Sequence, residues 1–193
     1  MWVSAYRIFC PEHPRGDARL SLSSVLRGAS VCLLSLLAIT AATQAEPLKN
    51  WFADPYFQVR SGIARCPVPR GPFTTESEMR KEAHSRAERG TSCWLAKKCA
   101  KPNSYLYDPE IARAVQARFD ATDALRDASL WVTVQRRIVW IEGCVPPIYA
   151  DGQVEELLRG LADVELVIVN VTKSPMKKTP YRALVRGEQL MQR

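Results

Sequence analysis

An apolar segment near the start of the chain limits which residues can belong to the folded protein. Fourteen uncharged, mostly apolar residues, 29–42, follow an arginine-bearing stretch and lead into Thr43-Gln44-Ala45. A basic flank, a short apolar segment and a small-residue exit are typical of a secretory signal, and the segment is shorter than the roughly 20 residues that cross a bilayer as a helix. We therefore expect residues 1–45 to be a signal peptide, cleaved after Ala45, and the rest of the chain to be periplasmic.

The stretch before the apolar segment is long for a charged leader and carries Glu12 and Asp17. A later start, for example at Val25, would leave a compact leader whose charge is Arg27, so that residues before about 25 would come from a mis-assigned start. The alternative is an uncleaved amphipathic or anchoring helix. No structural expectation rests on residues 1–28.

Cleavage leaves 148 residues, enough for one domain with one core. This part carries 23 basic and 18 acidic side chains, a net charge of +5. A mildly basic surface suits contact with anionic lipid, peptidoglycan or acidic proteins, and it equally suits a protein with no charged partner.

Four cysteines follow the leader: Cys66, Cys93, Cys99 and Cys144. An even number in an exported chain of this size predicts two disulfides, and the three possible pairings stay open. A zinc site is the alternative, but gaps of 26, 5 and 44 residues lack the close pairs of structural zinc sites. A thiol oxidoreductase is also disfavoured, because no Cys-x-x-Cys is present. We expect neither a metal nor another cofactor.

Residues 46–104 form an extension rich in proline and turn-forming residues, most of which cannot be regular helix or sheet. One helix interrupts it, capped by Thr74 or Thr75, covering 76–89 and ended by Gly90. The apolar positions of this helix form a narrow stripe: Met79, Ala83 and Ala87. We therefore expect a surface helix that the neighbouring disulfides hold in place.

After that helix, Cys93-Trp94-Leu95 is expected to lead the chain back toward the core. The aromatic, disulfide-stapled stretch from Trp51 to Trp94 is also a candidate surface for a protein partner. On this alternative the protein is an adapter that binds another envelope component.

Regular patterns begin at Asp108, which can cap a helix whose first residue is Pro109. Apolar residues recur on one face of this helix: Ile111, Ala114, Val115 and Phe119. Alternating apolar residues then predict strands over 130–134 and 138–144, joined by the three residues 135–137. Gly143 fits a bend or bulge. The tryptophans of this hairpin, Trp131 and Trp140, are expected to pack in the core or on the hairpin face rather than to anchor in lipid.

A second helix is predicted over 151–161, with an apolar stripe of Val154, Leu157, Leu158 and Leu161. The nearly continuous apolar residues of 164–171 predict a central strand covered on both faces. The order helix, strand, strand, helix, strand predicts an α+β fold, a small mixed sheet with two helices packed on one face, preceded by the loop-rich, disulfide-stapled extension.

Residues 105–172 resemble the BON domain, a module of about sixty residues found in osmotically induced periplasmic proteins and other envelope proteins. The resemblance covers about Tyr107 to Thr172 and rests on four segments: Tyr107-Asp108-Pro109-Glu110-Ile111, Val139 to Val145, Leu157-Leu158, and Asp163 to Val167. Two departures are visible. Asp163 stands where the family has glycine, and Pro146-Pro147 replaces its usual polar linker.

The resemblance implies a binding module that associates with phospholipid membrane surfaces or with other envelope proteins, and it implies no enzymatic activity. The residues themselves agree with a non-enzyme. His84 is the one histidine after the leader and lies on a polar helix, and no phosphate-binding glycine loop is present. A nucleotide enzyme is therefore disfavoured, and an exported chain is expected to have neither a nucleotide nor a nucleic acid as partner. An uncharacterised hydrolase is the least favoured alternative.

The last segment, 173–193, is basic and carries the candidate contacts to an anionic phospholipid surface or an envelope protein: Lys173, Lys177, Lys178, Arg182 and Arg186. Within 181–192, apolar residues fall on one side at helical spacing, which predicts a short amphipathic helix in a headgroup layer. Glu188 on the same side and Gly187 interrupt this pattern. A frayed, soluble chain end is the interpretation favoured over this helix.

Overall fold

The computed structural model describes residues 46–185 and 188. Its strands are β1 (Tyr56–Ser61), β2 (Ser129–Gln135), β3 (Ile138–Cys144) and β4 (Leu166–Thr172). Its helices are α1 (Glu76–Glu88), α2 (Thr91–Leu95), α3 (Asp108–Asp120) and α4 (Gln153–Leu158), with a 3₁₀ turn at Ser104–Tyr107. The predicted α+β class is confirmed. The predicted order of helices and strands is found from α3 to β4.

The four strands form one sheet in the order β1-β2-β3-β4. β2 is antiparallel to both β1 and β3, whereas β4 is parallel to β3, so the sheet is mixed as predicted. Parallel neighbours need a crossover, and α4 lies in the connection between β3 and β4.

The core lies on one face of this sheet, beneath α3 and α4. Alternate residues of the β2–β3 hairpin are fully buried there: Leu130, Val132, Val134, Val139 and Ile141. The helices contribute Ile111, Val115, Phe119, Val154 and Leu158 to the same cluster. Two helices on one face of the sheet are therefore confirmed. Alternate strand residues and helix residues three or four positions apart pack together in one apolar layer.

β1 lies in the extension, where the sequence predicts mostly irregular chain; on this segment the prediction is wrong. Its residues Tyr56–Ser61 pair with β2, and the register shifts between Gln58 and Arg60. The bulge leaves Val59 buried in the core. Prolines flank the segment without entering it, so its β-forming residues remain free to pair.

β4 is an edge strand, not the central one predicted. Its apolar residues are covered by α4 on one face only, and Leu166 is half exposed. α4 is also shorter than the predicted 151–161. Gly152 and Gly160, both with positive φ, flank its six residues.

The hairpin turn between β2 and β3 has two residues instead of the predicted three, because Gln135 already pairs with Ile138. Arg136 and Arg137 both have positive φ, the geometry of a type I′ turn. The carboxylate of Asp108 accepts both turn amides, from Arg136 at 2.7 Å and from Arg137 at 2.8 Å. Asp108 therefore does not cap its own helix, as its position predicted; it fixes an energetically unfavourable turn.

Gly143 produces no bulge, since Leu130 pairs with it in regular register. A Cβ at this position would lie 2.1 Å from the carbonyl oxygen of Ser129. The glycine thus permits close approach of the two strands.

Candidate binding surface

The four cysteines form two disulfides, as predicted, and the structure selects one of the three possible pairings. Cys66 pairs with Cys144, across 78 residues, and Cys93 pairs with Cys99. The first bond is buried and joins the extension to the end of β3. Residues 46–185 and 188 contain no group of three or more His, Cys, Asp or Glu side chains that could hold a metal ion.

The second disulfide closes the Cys93–Cys99 loop, which contains α2. Trp94 is 43% exposed and Leu95 is 74% exposed. The prediction that this segment returns toward the core is therefore wrong. Lys97, with positive φ, and Lys98 follow on the same loop and are also exposed. The loop therefore presents two large apolar and two cationic side chains to the outside.

The loop follows α1, which an ion pair holds against the rest of the protein. The guanidinium of Arg86 pairs with the buried carboxylate of Asp54 and lies between two aromatic rings, 3.9 Å from that of Phe52 and 3.7 Å from that of Tyr105. Arg86 is the buried residue of this helix. Few apolar residues of α1 contact the protein, as predicted. The helix is held by Arg86 with Asp54 and the two aromatic rings, whereas the sequence predicted that the neighbouring disulfides would hold it.

The start of α1 confirms Thr75 as its cap. The Thr75 hydroxyl accepts the amide of Glu78, and the Glu78 carboxylate accepts the amide of Thr75, which makes a capping box. Glu78 also pairs with Arg70 at 2.5 Å, and these contacts hold the pKa of its carboxyl below the ordinary value, the Thr75 amide contributing most.

The described part of the C-terminal segment is not helical, so the predicted helix over 181–192 is wrong at its start. The hydroxyl of buried Tyr181 donates to the carbonyl oxygen of Pro67 at 2.7 Å, and the amide of Leu184 donates to that of Val68 at 2.9 Å. The chain thus runs along the extension, and its hydrogen-bond partners at Tyr181 and Leu184 are carbonyl groups of the extension instead of those of a helix. Of the later residues of that predicted helix, the structure describes only Glu188.

The structure separates the predicted basic contacts into three groups. Lys173 pairs with Asp151 at 2.9 Å, and Arg182 pairs with Glu78 at 3.3 Å. Lys177 and Lys178 are exposed, without an ion pair to any described residue. Arg186 lies outside the described residues.

Met176 precedes these two lysines and is 83% exposed. We call Met176, Lys177 and Lys178 the tail patch. Arg182, further along the segment, contacts the first turn of α1, whereas the Cys93–Cys99 loop follows the last turn. Glu78, which Arg182 contacts, and Glu88, the last residue of α1, are ten residues and therefore about 15 Å apart along the helix.

His84, the one histidine among the described residues, has an exposed side chain. His84 lies on exposed α1, 3.6 Å from Glu88. Burial raises the pKa of Tyr181 to about 12, and burial also raises the pKa of Glu142. Trp131 and Trp140 are half-buried on the sheet face opposite the helices, in the hairpin, as expected.

No helix within residues 46–185 and 188 is long and apolar enough to span a membrane. The chain matches no family model, no curated protein and no solved structure. The resemblance to BON domains therefore rests on the residues quoted for it above.

Proposed function

We propose that this protein is an exported, non-enzymatic binding module that resembles BON domains and associates with an anionic phospholipid surface of the cell envelope. The observation that carries the proposal is the Cys93–Cys99 loop, where an exposed Trp-Leu pair stands beside two lysines. The two disulfides support a periplasmic location, because such bonds persist in oxidising compartments.

The chemistry of this loop suits a membrane–water interface. Tryptophan is enriched at the headgroup level, where its apolar ring and its N–H each find a favourable environment. A lysine near an anionic surface contributes about 1 kcal/mol, and the attraction weakens as salt screens the charges. With Lys97 and Lys98 from the loop and Lys177 and Lys178 from the tail patch, the total of about 4 kcal/mol would support reversible attachment.

The test is co-sedimentation with vesicles, using protein produced from the full sequence. Vesicles of phosphatidylglycerol and phosphatidylethanolamine are compared with vesicles of phosphatidylcholine alone, at increasing salt. We expect binding to the anionic vesicles that falls as salt rises. Equal binding to both vesicle types, or none to the anionic ones, would overturn the proposal.

Charge-reversal pairs locate the contact. K97E/K98E and K177E/K178E each remove the cations of one surface, and K81E/R113E makes the same charge change on exposed parts of α1 and α3. We expect the first two pairs to weaken binding more than the third. Equal losses would show that only net charge matters and that neither surface is the contact. Substitution is preferable to deleting 173–193, since that deletion would also remove buried Tyr181.

The second candidate is a protein–protein adapter. It is favoured by the number of large apolar side chains exposed near α1 and the 3₁₀ turn, namely Trp94, Leu95 and Leu106. On this reading a pull-down from envelope extract recovers a partner that W94A/L95A loses, while pure vesicles recover nothing.

A further inference from the structure

We propose that two copies of this chain associate through β4, edge to edge and antiparallel, about a twofold axis at Val169, to form a continuous eight-stranded sheet. The proposal begins from the outer edge of β4, with which no strand of residues 46–185 and 188 pairs. All seven residues of Leu166–Thr172 are uncharged, and none is proline. Strand edges usually carry charges, prolines or bulges that prevent pairing, and this one has none of them.

The backbone of β4 fits a symmetric partner. The amide of Val145 donates to the carbonyl of Thr172 at 3.0 Å, so Thr172 directs its backbone groups toward β3. Because these directions alternate along a strand, the groups of Val167, Val169 and Val171 point away from the sheet. An axis at Val169 pairs that residue with its own copy and pairs Val167 with Val171, so every outward group meets a complementary one.

The charges beside the strand fit the same axis. Glu165 precedes β4 and Lys173 follows it, and both are partly exposed. The amide of Glu165 donates to the carbonyl oxygen of Arg137 at 2.9 Å, so the backbone of Glu165 does not belong to the outward row of β4. With the axis at Val169, its side chain nevertheless lies at the level of Lys173 of the other copy. An axis two residues earlier or later would set Glu165 or Lys173 opposite a valine. In each copy the two groups also contact Arg137 and Asp151, both at 2.9 Å, so the opposed pairs would extend existing ion pairs.

The apolar surface along β4 is incompletely covered. Val167, Val169 and Val171 are only half-buried. Two clefts lie between α4 and β4, one of about 280 Å³ reaching Val167 and one of about 340 Å³ reaching Val169 and Val171. In the paired sheet the valines of the second copy continue this row, which removes further apolar surface from water. This inference does not depend on the proposed function.

A cysteine on the axis tests the pairing. Opposed residues in a hydrogen-bonded antiparallel pair have Cα atoms about 5.5 Å apart, within disulfide range. V169C should therefore give a covalent dimer on a non-reducing gel. V167C is the matched control on the same strand face, because two copies of residue 167 would lie about 13 Å apart. Intact mass after alkylation checks that both native disulfides remain. Equal cross-linking of the two variants would overturn the proposal.

The opposed charges give a second test that needs no new cysteine. Sedimentation equilibrium of the wild-type chain should show a dimer. E165K and K173E should each raise its dissociation constant by roughly tenfold, because two like-charge pairs replace two opposite ones. The double variant E165K/K173E should restore the wild-type value. A wild-type chain that stays monomeric at all concentrations, or a double variant as weak as the singles, would contradict the pairing.

Discussion

At the scale of single residues, two buried acids organise this protein by accepting hydrogen bonds. Asp54 accepts from the Arg86 guanidinium and from the side-chain amide of Gln135, and so links the start of the extension to α1 and to β2. Asp108 accepts from the two amides of the β2–β3 turn. Neither role is readable from the sequence, because each joins residues far apart in the chain.

The first prediction concerns Arg86. In R86M the carboxylate of Asp54 stays buried with only Gln135 to donate to it, and the two aromatic rings lose their cation. We expect the free energy of unfolding to fall by about 3–5 kcal/mol, the usual cost of breaking a buried pair from one side. Urea unfolding measures it.

The double variant D54N/R86M is the control for this prediction. Removing the charge of Asp54 as well should make the double variant less destabilised than the sum of the two single variants. Additive losses would mean that the two side chains do not act as a pair.

The second prediction concerns pH. Burial raises the pKa of Asp108 from 3.8 to about 6, with the two turn amides opposing the rise. Between these values the folded chain binds more protons than the unfolded one. This group alone therefore makes the free energy of unfolding increase as pH falls from about 7 to about 4, by on the order of 3 kcal/mol.

D108N has no proton to bind at this position. The stability of the wild type relative to D108N should therefore be greater near pH 4 than near pH 7, as measured by urea unfolding at each pH. Parallel pH profiles for the two proteins would show that the pKa of Asp108 is not raised on folding.

At the scale of elements, sequence periodicity predicted the helices and strands whose own pattern of apolar side chains determines their position. The bounds of β3 and the buried face of α3 follow from apolar spacing alone. β1 was missed because its six residues include only three of strand-forming type, Tyr56, Phe57 and Val59, and a short segment among prolines does not stand out from a loop. β4 was placed wrongly because an apolar sequence shows that a strand needs cover without showing on how many sides it receives it.

The two disulfides differ in what they stabilise, and this gives the third prediction. On the chain-entropy model, the bond across 78 residues contributes about 4.5 kcal/mol and the bond across 6 residues about 2 kcal/mol. C66A/C144A should therefore lower the free energy of unfolding more than C93A/C99A does. Denaturant unfolding of the two double variants measures the difference, and the reverse order would contradict the assignment of Cys66–Cys144 as the main cross-link.

At the scale of the whole molecule, sequence could list the candidate contacts but could not sort them. Whether a basic side chain is free to contact a partner depends on acidic residues that are distant in the chain. Glu78, for example, contacts Arg182 from more than 100 positions away. The exposure of Trp94 and Leu95 was equally hidden, since large apolar residues between two cysteines are ordinarily assigned to a core.

The fourth prediction concerns the compartment. If residues 1–45 direct export, the protein recovered from cells should contain no free thiol, and alkylation with mass analysis should label its four cysteines only after reduction. The measurement is made on cell fractions, with a known cytosolic protein as the marker for leakage. Recovery in the cytosol with free thiols would contradict export.

The bond between Cys66 and Cys144 also has a consequence for damage by proteases. A single cut near exposed Lys97 or Lys98 would break the polypeptide without releasing a fragment, because the bond between Cys66 and Cys144 still joins both pieces. The nicked protein would keep its full mass on a gel until a reductant separated the two halves.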